Sequence, residues 1–191
     1  MIFFTSDLHF GHDKEFIWKA RGFNSLQEME AAIVDRWNKT VSEEDAVYIL
    51  GDVVMGSDHV NGLNLLHSLN GLKVIIPGNH DTDKKIMEYG CVPHTTCVGP
   101  RLIKHKCTHE LKTYVQQFYL SHYPTYTANF DSSDIYKTVI NLHGHTHSKE
   151  KFFMDNLFMY NVGMDSHNCT PVSIDEVMHD ITDKLTQHQT K

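Results

Sequence analysis

Apolar runs and amphipathic stretches alternate along the first half of the chain. Short apolar runs at 2–6, 46–50 and 73–76 have the length and composition of buried strands. A capping box at 25–28 opens an amphipathic helix with Met29, Ile33, Val34 and Trp37 at helical spacing. Further helices are predicted over 59–69, ending at Asn70-Gly71, and over 83–89, ending at Gly90. Strands that alternate with helices in this way are typical of parallel βαβ units.

The second half has a different pattern, in which apolar segments follow one another without a long helix. Residues 97–107, 112–121, 139–143 and 158–162 are predicted strands, and we expect them to form a sheet built largely of hairpins. A second capping box at 173–176 predicts a C-terminal helix that ends near residue 185, followed by a frayed polar tail over 186–191. Because the chain lacks linkers and internal repeats, we expect a single domain over residues 1–191.

Composition narrows the class of protein. The chain has 191 residues, 40% of them hydrophobic, and a formal net charge of −7, which indicates an ordinary soluble globular protein. The negative charge argues against a long nucleic acid as a partner. We expect a cytoplasmic protein without a membrane partner, because no apolar run is long enough to span a bilayer and the N-terminus lacks the basic region of a signal peptide. The four cysteines form no CxxC pair and are predicted to be free thiols.

Polar side chains follow the predicted strands at the points where the strands end. The residues in these positions are Asp7, His9, Asp52, Asn79, His80, His122, His145 and His147. Helix capping explains any one aspartate or asparagine of this kind. Ligands of open α/β sheets bind beyond the carboxyl ends of the strands, so side chains of these types at five strand ends together predict a binding site at one edge of a sheet.

These residue types favour a particular class of metal ion. Carboxylate, imidazole and amide ligands without thiolates suit divalent manganese, iron, zinc or nickel. Asp52 is the natural bridge, because each of its two oxygens can bind one cation. Two ions about 3.5–4 Å apart stabilise an in-line displacement at phosphorus. A structural metal site is the alternative, and it would favour closed four-coordinate ligation without a bridging carboxylate.

Five short blocks that contain these residues occur in order along the chain. They are Asp7-Leu8-His9, Gly51-Asp52, Gly78-Asn79-His80-Asp81, Ser121-His122 and Gly144-His145-Thr146-His147. The ordered set resembles the signature of the calcineurin-like metallophosphoesterase superfamily, and the segments 6–12 and 160–165 are similar to its small, single-domain bacterial and phage branch. The resemblance implies an α/β fold, a four-layer α/β/β/α sandwich with two mixed sheets.

The resemblance also implies a role for each site residue. The expected ligands of one metal ion are Asp7, His9, Asp52 and His147, and those of the other are Asp52, Asn79, His122 and His145. His80 is the expected catalytic residue, which contacts the phosphate and protonates the leaving oxygen or stabilises it. Asp81 is expected to orient the His80 ring through its other nitrogen. The favoured cofactor is a pair of manganese ions, with iron, zinc or nickel as alternatives.

Three further residues are candidates for contact with the substrate. His12 is expected to contact a phosphate, the alternative being a capping or surface histidine. Arg21 offers a bidentate guanidinium to a phosphate, although a solvated arginine is the more common case. Asn161 follows another predicted strand and is placed at the rim of the pocket.

The favoured activity is hydrolysis of a phosphodiester in a small nucleotide, with a 2′,3′-cyclic nucleotide as one candidate. Phosphomonoesters and nucleotide pyrophosphates are alternative substrates. A non-catalytic binding module with the same fold is a further alternative, which the presence of His80 disfavours. Tyr123 and Tyr126 are candidates for stacking on a base or sugar, although aromatic residues beside a site more often pack within a loop.

Overall fold

The computed structural model describes residues 1–56, 59–109, 112–132 and 134–189. The strands in this part of the chain are β1 (Ile2–Thr5), β2 (Ala46–Ile49), β3 (Leu72–Ile75), β4 (Thr95–Cys97), β5 (Arg101–His109), β6 (Lys112–Leu120), β7 (Val139–His143), β8 (Met159–Asn161) and β9 (Val172–Ser173). The α-helices are α1 (Glu15–Trp18), α2 (Leu26–Thr40), α3 (His59–His67), α4 (Asp83–Gly90) and α5 (Ile174–Gln189). Short 3₁₀ helices cover Ile135–Lys137 and Phe153–Asp155.

The strands form two mixed sheets, which confirms the predicted fold class. The first sheet has the order β4-β3-β2-β1-β9, with β1 to β4 parallel and β9 antiparallel to β1. The second has the order β5-β6-β7-β8. The parallel first sheet follows from the alternation of strands and helices in the sequence, since a parallel connection needs a crossover segment.

The prediction that the second sheet consists largely of hairpins is wrong. Strands β5 and β6 do form a hairpin, but β6, β7 and β8 are parallel to one another. The segments 121–138 and 144–158 provide the crossovers, because a dozen or more residues are enough to return the chain to the same edge of a sheet. The predicted strand over 97–107 is also divided at Gly99 and Pro100, so that β4 belongs to the first sheet and β5 to the second.

Both helices begin at the predicted serines, but only the capping box at 173–176 is complete, because the Glu28 carboxylate accepts from the Asn24 amide and not from the Ser25 amide. The Ser25 hydroxyl accepts a hydrogen bond of 3.1 Å from the Glu28 amide at the start of α2. At the start of α5 the bonds are reciprocal: the Ser173 hydroxyl accepts from the Glu176 amide at 3.2 Å, and the Glu176 carboxylate accepts from the Ser173 amide at 3.0 Å. Helix α5 extends to Gln189, past the predicted end near 185.

Alternation of side chains along β1 directs neighbouring residues into two separate hydrophobic clusters. Phe3 packs with the helical residues Ile33 and Trp37 on the outer face of the first sheet. Phe4 faces the second sheet and belongs to a cluster that includes Leu142 of β7 and Ile181 of α5. The two clusters hold β1 between them and fix the position of the loop that follows it.

Within the described ranges, none of the helices is long and apolar enough to cross a membrane. The four cysteines, Cys91, Cys97, Cys107 and Cys169, are free thiols, as predicted.

Candidate metal centre

The parallel strands of the first sheet bring distant segments of the chain to one edge. Pairing between β1 and β2 continues beyond the strands themselves, since the Asp7 amide donates to the Gly51 carbonyl at 3.0 Å and the His9 amide to the Asp52 carbonyl at 3.1 Å. The two carboxylates therefore lie side by side, although they are far apart in the sequence. Both side chains are almost fully buried.

One predicted set of ligands surrounds the Asp7 carboxylate. Its Oδ1 lies 3.8 Å from His9 Nε2 and 3.9 Å from His147 Nε2. The His9 Nε2 atom is also 3.9 Å from Asp52 Oδ2. Ligands bound at about 2.0–2.2 Å to one ion have separations of this size, so Asp7, His9, Asp52 and His147 have the spacing to hold a divalent metal.

The second predicted set is centred on His122, which lies next to the same Asp52 oxygen. Asp52 Oδ2 is 3.6 Å from His122 Nε2, which in turn is 2.9 Å from Asn79 Oδ1 and 3.2 Å from His145 Nδ1. Asp52 is therefore the residue common to both sets. The ligand atoms of Asp7, Asp52 and His122 also lie within 4.8 Å of one another, which places the two candidate positions next to each other.

Two buried atoms at the centre of the site support the presence of a cation. Asp7 Oδ1 and His9 Nε2 are inaccessible to solvent and have no hydrogen-bond partner. Burial of polar groups without a partner is costly, and most native structures avoid it. A divalent ion between a carboxylate oxygen and an unprotonated imidazole nitrogen satisfies both atoms, so the donor set fits the metal.

The backbone at the site is strained. The predicted ligands Asp7, His9, Asp52, His145 and His147 have φ angles of 60°, 55°, 56°, 69° and 48°. Non-glycine residues adopt this left-handed region infrequently, and such residues concentrate at functional sites where the surrounding fold enforces them. Left-handed turns after the strands direct these side chains into the common space.

Two of the predicted imidazole ligands are oriented by hydrogen bonds at their second nitrogen. His122 Nδ1 donates to the Leu50 carbonyl at 2.7 Å, which directs Nε2 at the site. His147 Nδ1 is 3.0 Å from Asp165 Oδ2. This hydrogen bond is the main reason that the pKa of His147 is raised in the metal-free protein.

Asp165 is buried at the centre of a network that the sequence did not reveal. Burial favours a higher pKa for this carboxyl, but hydrogen bonds from His147 and Arg21 outweigh burial and hold the pKa well below its usual range. The Arg21 guanidinium donates to Asp165 at 2.8 Å and to the Asp7 carbonyl at 2.8 Å. With 1% of its side chain exposed, Arg21 is not available to a substrate, which corrects its prediction as a phosphate clamp.

Replacement of Asp165 by asparagine is expected to weaken metal binding about 10- to 100-fold, because the partner that orients a histidine ligand is then neutral. Isothermal titration with Mn²⁺ measures the change, and circular dichroism checks the fold. Asp131→Asn, on an exposed part of the loop before β7, is the matched control. Equal affinities for the two variants would contradict this role for Asp165.

The Asp81 carboxylate connects the loops that follow β2 and β3 through hydrogen bonds. It accepts hydrogen bonds from the amides of Asp52 at 2.7 Å and Gly78 at 2.9 Å, and from the Tyr89 hydroxyl at 2.8 Å. These partners correct the prediction that Asp81 orients the His80 ring. The sequence shows that an aspartate follows the histidine. It does not show that the Asp81 carboxylate pairs with Tyr89, which lies near the end of α4.

His80 lies at the open side of the site. Its side chain is 49% exposed, and Nε2 is 4.0 Å from Asp52 Oδ2. Its backbone is held at both ends, since the amide donates to Asp52 Oδ1 at 3.0 Å and the carbonyl accepts from the buried Lys85 ammonium at 2.8 Å. The ring is thus exposed on a fixed backbone beside the shared carboxylate.

Close approach of the backbone requires glycine at two positions. A Cβ on Gly78 would lie 2.3 Å from Asp52 Oδ1, and a Cβ on Gly144 would lie 1.9 Å from Ser6 Oγ and 2.5 Å from Asp7 Oδ2. Any side chain there would displace a carboxylate of the site.

The remaining two predicted substrate contacts occupy different environments. His12 is partly exposed, and its Nδ1 is 2.8 Å from Nδ1 of His9, so that it contacts the back of a predicted ligand. Asn161 is buried, and its amide group bonds to the carbonyls of Ser148 and Glu150 and to the Gly163 amide. Asn161 therefore ties loops together behind the site, which corrects its prediction as a residue of the pocket rim.

The stability of the metal-free protein is expected to fall as the pH drops below about 6.5, the ordinary histidine value. Burial lowers the pKa of His167, although its hydrogen bond to the Asn161 carbonyl acts in the opposite direction. The unfolded chain then binds more protons than the folded chain below that pH, so acid favours unfolding. The pKa values of His9, His12 and His145 are lowered as well, and only the raised pKa of His147 among these site residues opposes the trend.

Thermal unfolding in the presence of a chelator, from about pH 8 to about pH 5, tests this expectation. His167→Asn should flatten the pH dependence, whereas His94→Asn, at an exposed position, should leave it unchanged. A midpoint that rises on acidification, or identical curves for both variants, would refute the argument.

Comparison with known proteins agrees with the architecture. The sequence profile of the calcineurin-like phosphoesterase family matches residues 1–189. An uncharacterized protein of Methanocaldococcus jannaschii is 29% identical over 93% of this chain and 89% of its own length. The gene 66 protein of Mycobacterium phage D29 is 28% identical over 96% of this chain and 98% of its own length. A crystal structure of a protein of unknown function from Aquifex aeolicus has the same fold, with a TM-score of 0.68 and 23% identity over 94% of this chain and 98% of that one. The profile match covers nearly the whole sequence, and the chain belongs to the calcineurin-like phosphoesterase family.

Proposed function

We propose that this protein is a two-metal-ion phosphoesterase that hydrolyses a phosphodiester bond in a small nucleotide. The observation that carries the proposal is the position of Asp52, whose Oδ2 atom lies between His9 of one ligand set and His122 of the other. A carboxylate shared by two neighbouring ligand sets is the arrangement expected for a pair of ions. A single structural ion does not require a bridging carboxylate.

The chain's own residues have distinct tasks in this reaction. The ligand sets around Asp7 and Asp52 would hold the two ions, which supply positive charge to a bound phosphate and acidify a water molecule. His80 is positioned by Asp52 and Lys85 at the open side of the site. We assign to its Nε2 atom the proton that the leaving oxygen accepts.

Manganese is the metal that we propose for both positions. The donor set consists of two carboxylates, an amide oxygen and imidazoles, without sulfur, and this mixture suits borderline to hard divalent ions. Iron, zinc and nickel accept the same ligands. The native metal is therefore identified by removing bound metal with a chelator and then measuring turnover with manganese, iron, zinc and nickel in turn.

A small substrate agrees with the charge of the molecule and with the setting of His80. A net charge of −7 disfavours association with long nucleic acids. The half-exposed His80 ring indicates a site that opens directly to solvent and can receive a small molecule. The four free thiols agree with a reducing compartment, and we propose that the protein acts in the cytoplasm.

Hydrolysis of bis(4-nitrophenyl) phosphate with added Mn²⁺ is the first test. We expect turnover that a chelator abolishes and that Mn²⁺ restores. Nucleoside 2′,3′-cyclic phosphates, nucleoside monophosphates and dinucleoside pyrophosphates, compared under the same conditions, then identify the ester class. Absence of turnover on every ester with Mn²⁺, iron, zinc or nickel would refute the proposal.

A further inference from the structure

An exposed aromatic ring stands directly beside the second ligand set. Tyr123 follows His122 in the chain, and its ring centroid lies 5.1 Å from that of His122 and 4.6 Å from that of His145. Both contacts are edge-on, with interplanar angles of 72° and 64°. Nevertheless 49% of Tyr123 is exposed, so the ring borders the site and is not part of a core.

The backbone of Tyr123 is held firmly in place. Its carbonyl accepts hydrogen bonds from the hydroxyls of Ser121 at 2.8 Å and Thr125 at 3.0 Å. The fully buried Asn141 of β7 completes the arrangement, since it accepts from the Thr125 amide at 2.7 Å and donates to the Ser121 hydroxyl at 2.9 Å. A loop fixed in this way presents the ring at little cost in conformational entropy on binding.

The neighbouring aromatic residues of the same loop have other surroundings. Tyr126 is 65% exposed and pairs with the Phe130 ring at 5.0 Å, without a ring contact to His122 or His145. Among the aromatic residues that the structure describes in this loop, Tyr123 is therefore the one placed to touch both a bound phosphate ester and its substituent. Tyr126 provides a matched control, because it is the same residue type in the same loop.

We propose that Tyr123 forms a nucleobase-binding subsite of the metal centre. The inference rests on the proposed function, since it assumes that a nucleotide phosphate binds between the two ligand sets. A flat aromatic substituent of that phosphate stacks on the exposed part of the tyrosine ring, while the phosphate stays at the metal ligands. Stacking of a base on an aromatic side chain changes affinity by a factor between about 5 and about 150. Every base has such a face, so this subsite selects nucleotides over other phosphate esters without selecting one base.

Equilibrium binding tests the subsite without reference to turnover. Isothermal titration of the Mn²⁺-loaded protein compares adenosine 5′-monophosphate with ribose 5-phosphate, which lacks the base. We expect wild type to bind the nucleotide about tenfold more tightly, and Tyr123→Leu to lose this preference while its affinity for ribose 5-phosphate is unchanged. Tyr123→Phe should keep the preference, because it keeps the ring, and Tyr126→Leu should behave as wild type.

Steady-state kinetics provide the second arm. For a nucleoside 2′,3′-cyclic phosphate, Tyr123→Leu should raise KM about tenfold and leave kcat nearly unchanged, whereas KM for glycerol 1,2-cyclic phosphate should not move. A merely structural role would raise KM for both esters and lower the midpoint of thermal unfolding.

The outcomes separate this inference from the proposed function. Hydrolysis of both cyclic esters without any preference for the base, in binding or in KM, would overturn the subsite and leave the phosphoesterase standing. A preference for adenosine 5′-monophosphate that depends on Tyr123, together with no hydrolysis of any ester, would support the subsite and refute the enzyme. If Tyr123→Leu weakened the binding of adenosine 5′-monophosphate and of ribose 5-phosphate equally, the subsite would also be overturned.

Discussion

Asp52→Asn is expected to lower kcat for a phosphodiester by at least about a thousandfold. Electrophilic catalysis by bound metal ions supplies several kcal/mol of charge stabilisation, which corresponds to about this factor in rate. The carboxylate that approaches both His9 and His122 is the one residue that joins the two ligand sets. If the asparagine oxygen takes the place of Oδ1, an uncharged NH₂ group takes the place of Oδ2, and that group binds no cation.

Asparagine is the informative substitution because it preserves the rest of the local structure. The Asp52 Oδ1 atom accepts a hydrogen bond from the His80 amide at 3.0 Å, and the oxygen of an asparagine can accept the same bond. The Asp52 amide, which donates to Asp81, is unaffected. We therefore expect the variant to fold with the His80 loop in place.

Metal analysis and kinetics together measure the effect of Asp52→Asn. The metal content of the purified variant should fall from two ions per chain to one or none, in parallel with the loss of turnover. Asp35→Asn on the exposed side of α2 removes the same charge far from the site and should retain both ions and full activity. A variant that keeps two ions and wild-type kcat would show that Asp52 is not the bridge.

Strands β1 to β3 of the first sheet could be predicted from the sequence, because the strands and the helices between them differ in length and period, whereas β4 was assigned to the second half and β9 was not predicted. The helices α1 to α4 lie between successive parallel strands, so the parallel direction of these strands followed from the alternation of strands and helices. In the second half, the apolar runs indicated buried strands but carried no information on whether neighbouring strands are parallel or antiparallel. In the residues that the structure describes, the crossovers after β6 and β7 contain short 3₁₀ helices and no α-helix, so no helical period marked them as crossovers.

The positions of the predicted ligands also followed from the sequence, because parallel strands end at a common edge and the residue types at those ends are unusual. The roles of Arg21, Asp81 and Asn161 did not follow. Arg21 pairs with Asp165 across 144 positions of the chain, and such a choice of partner depends on the packed fold. The left-handed backbone of the predicted ligands is likewise imposed by tertiary contacts, since aspartate and histidine adopt other conformations more readily.

His80→Ala is expected to lower kcat about 10²- to 10⁴-fold while both metal ions stay bound. His80 belongs to neither ligand set, and its side chain is 49% exposed, so its removal leaves the buried carboxylates and imidazoles in place. The loss arises because the leaving oxygen then departs without a proton. This predicts a dependence on the leaving group: the effect should be smallest for 4-nitrophenolate, which is a stable anion, and largest for the sugar hydroxyl of a nucleotide ester.

Parallel kinetics on bis(4-nitrophenyl) phosphate and a nucleoside 2′,3′-cyclic phosphate measure this difference, with metal content determined on the same samples. His67→Ala, at the exposed end of α3, is the matched control and should equal wild type on both esters. Equal losses on the two esters with both ions bound would mean that His80 stabilises the phosphate and does not protonate the leaving oxygen. A loss that accompanies the release of metal would instead assign His80 to the structure of the metal centre.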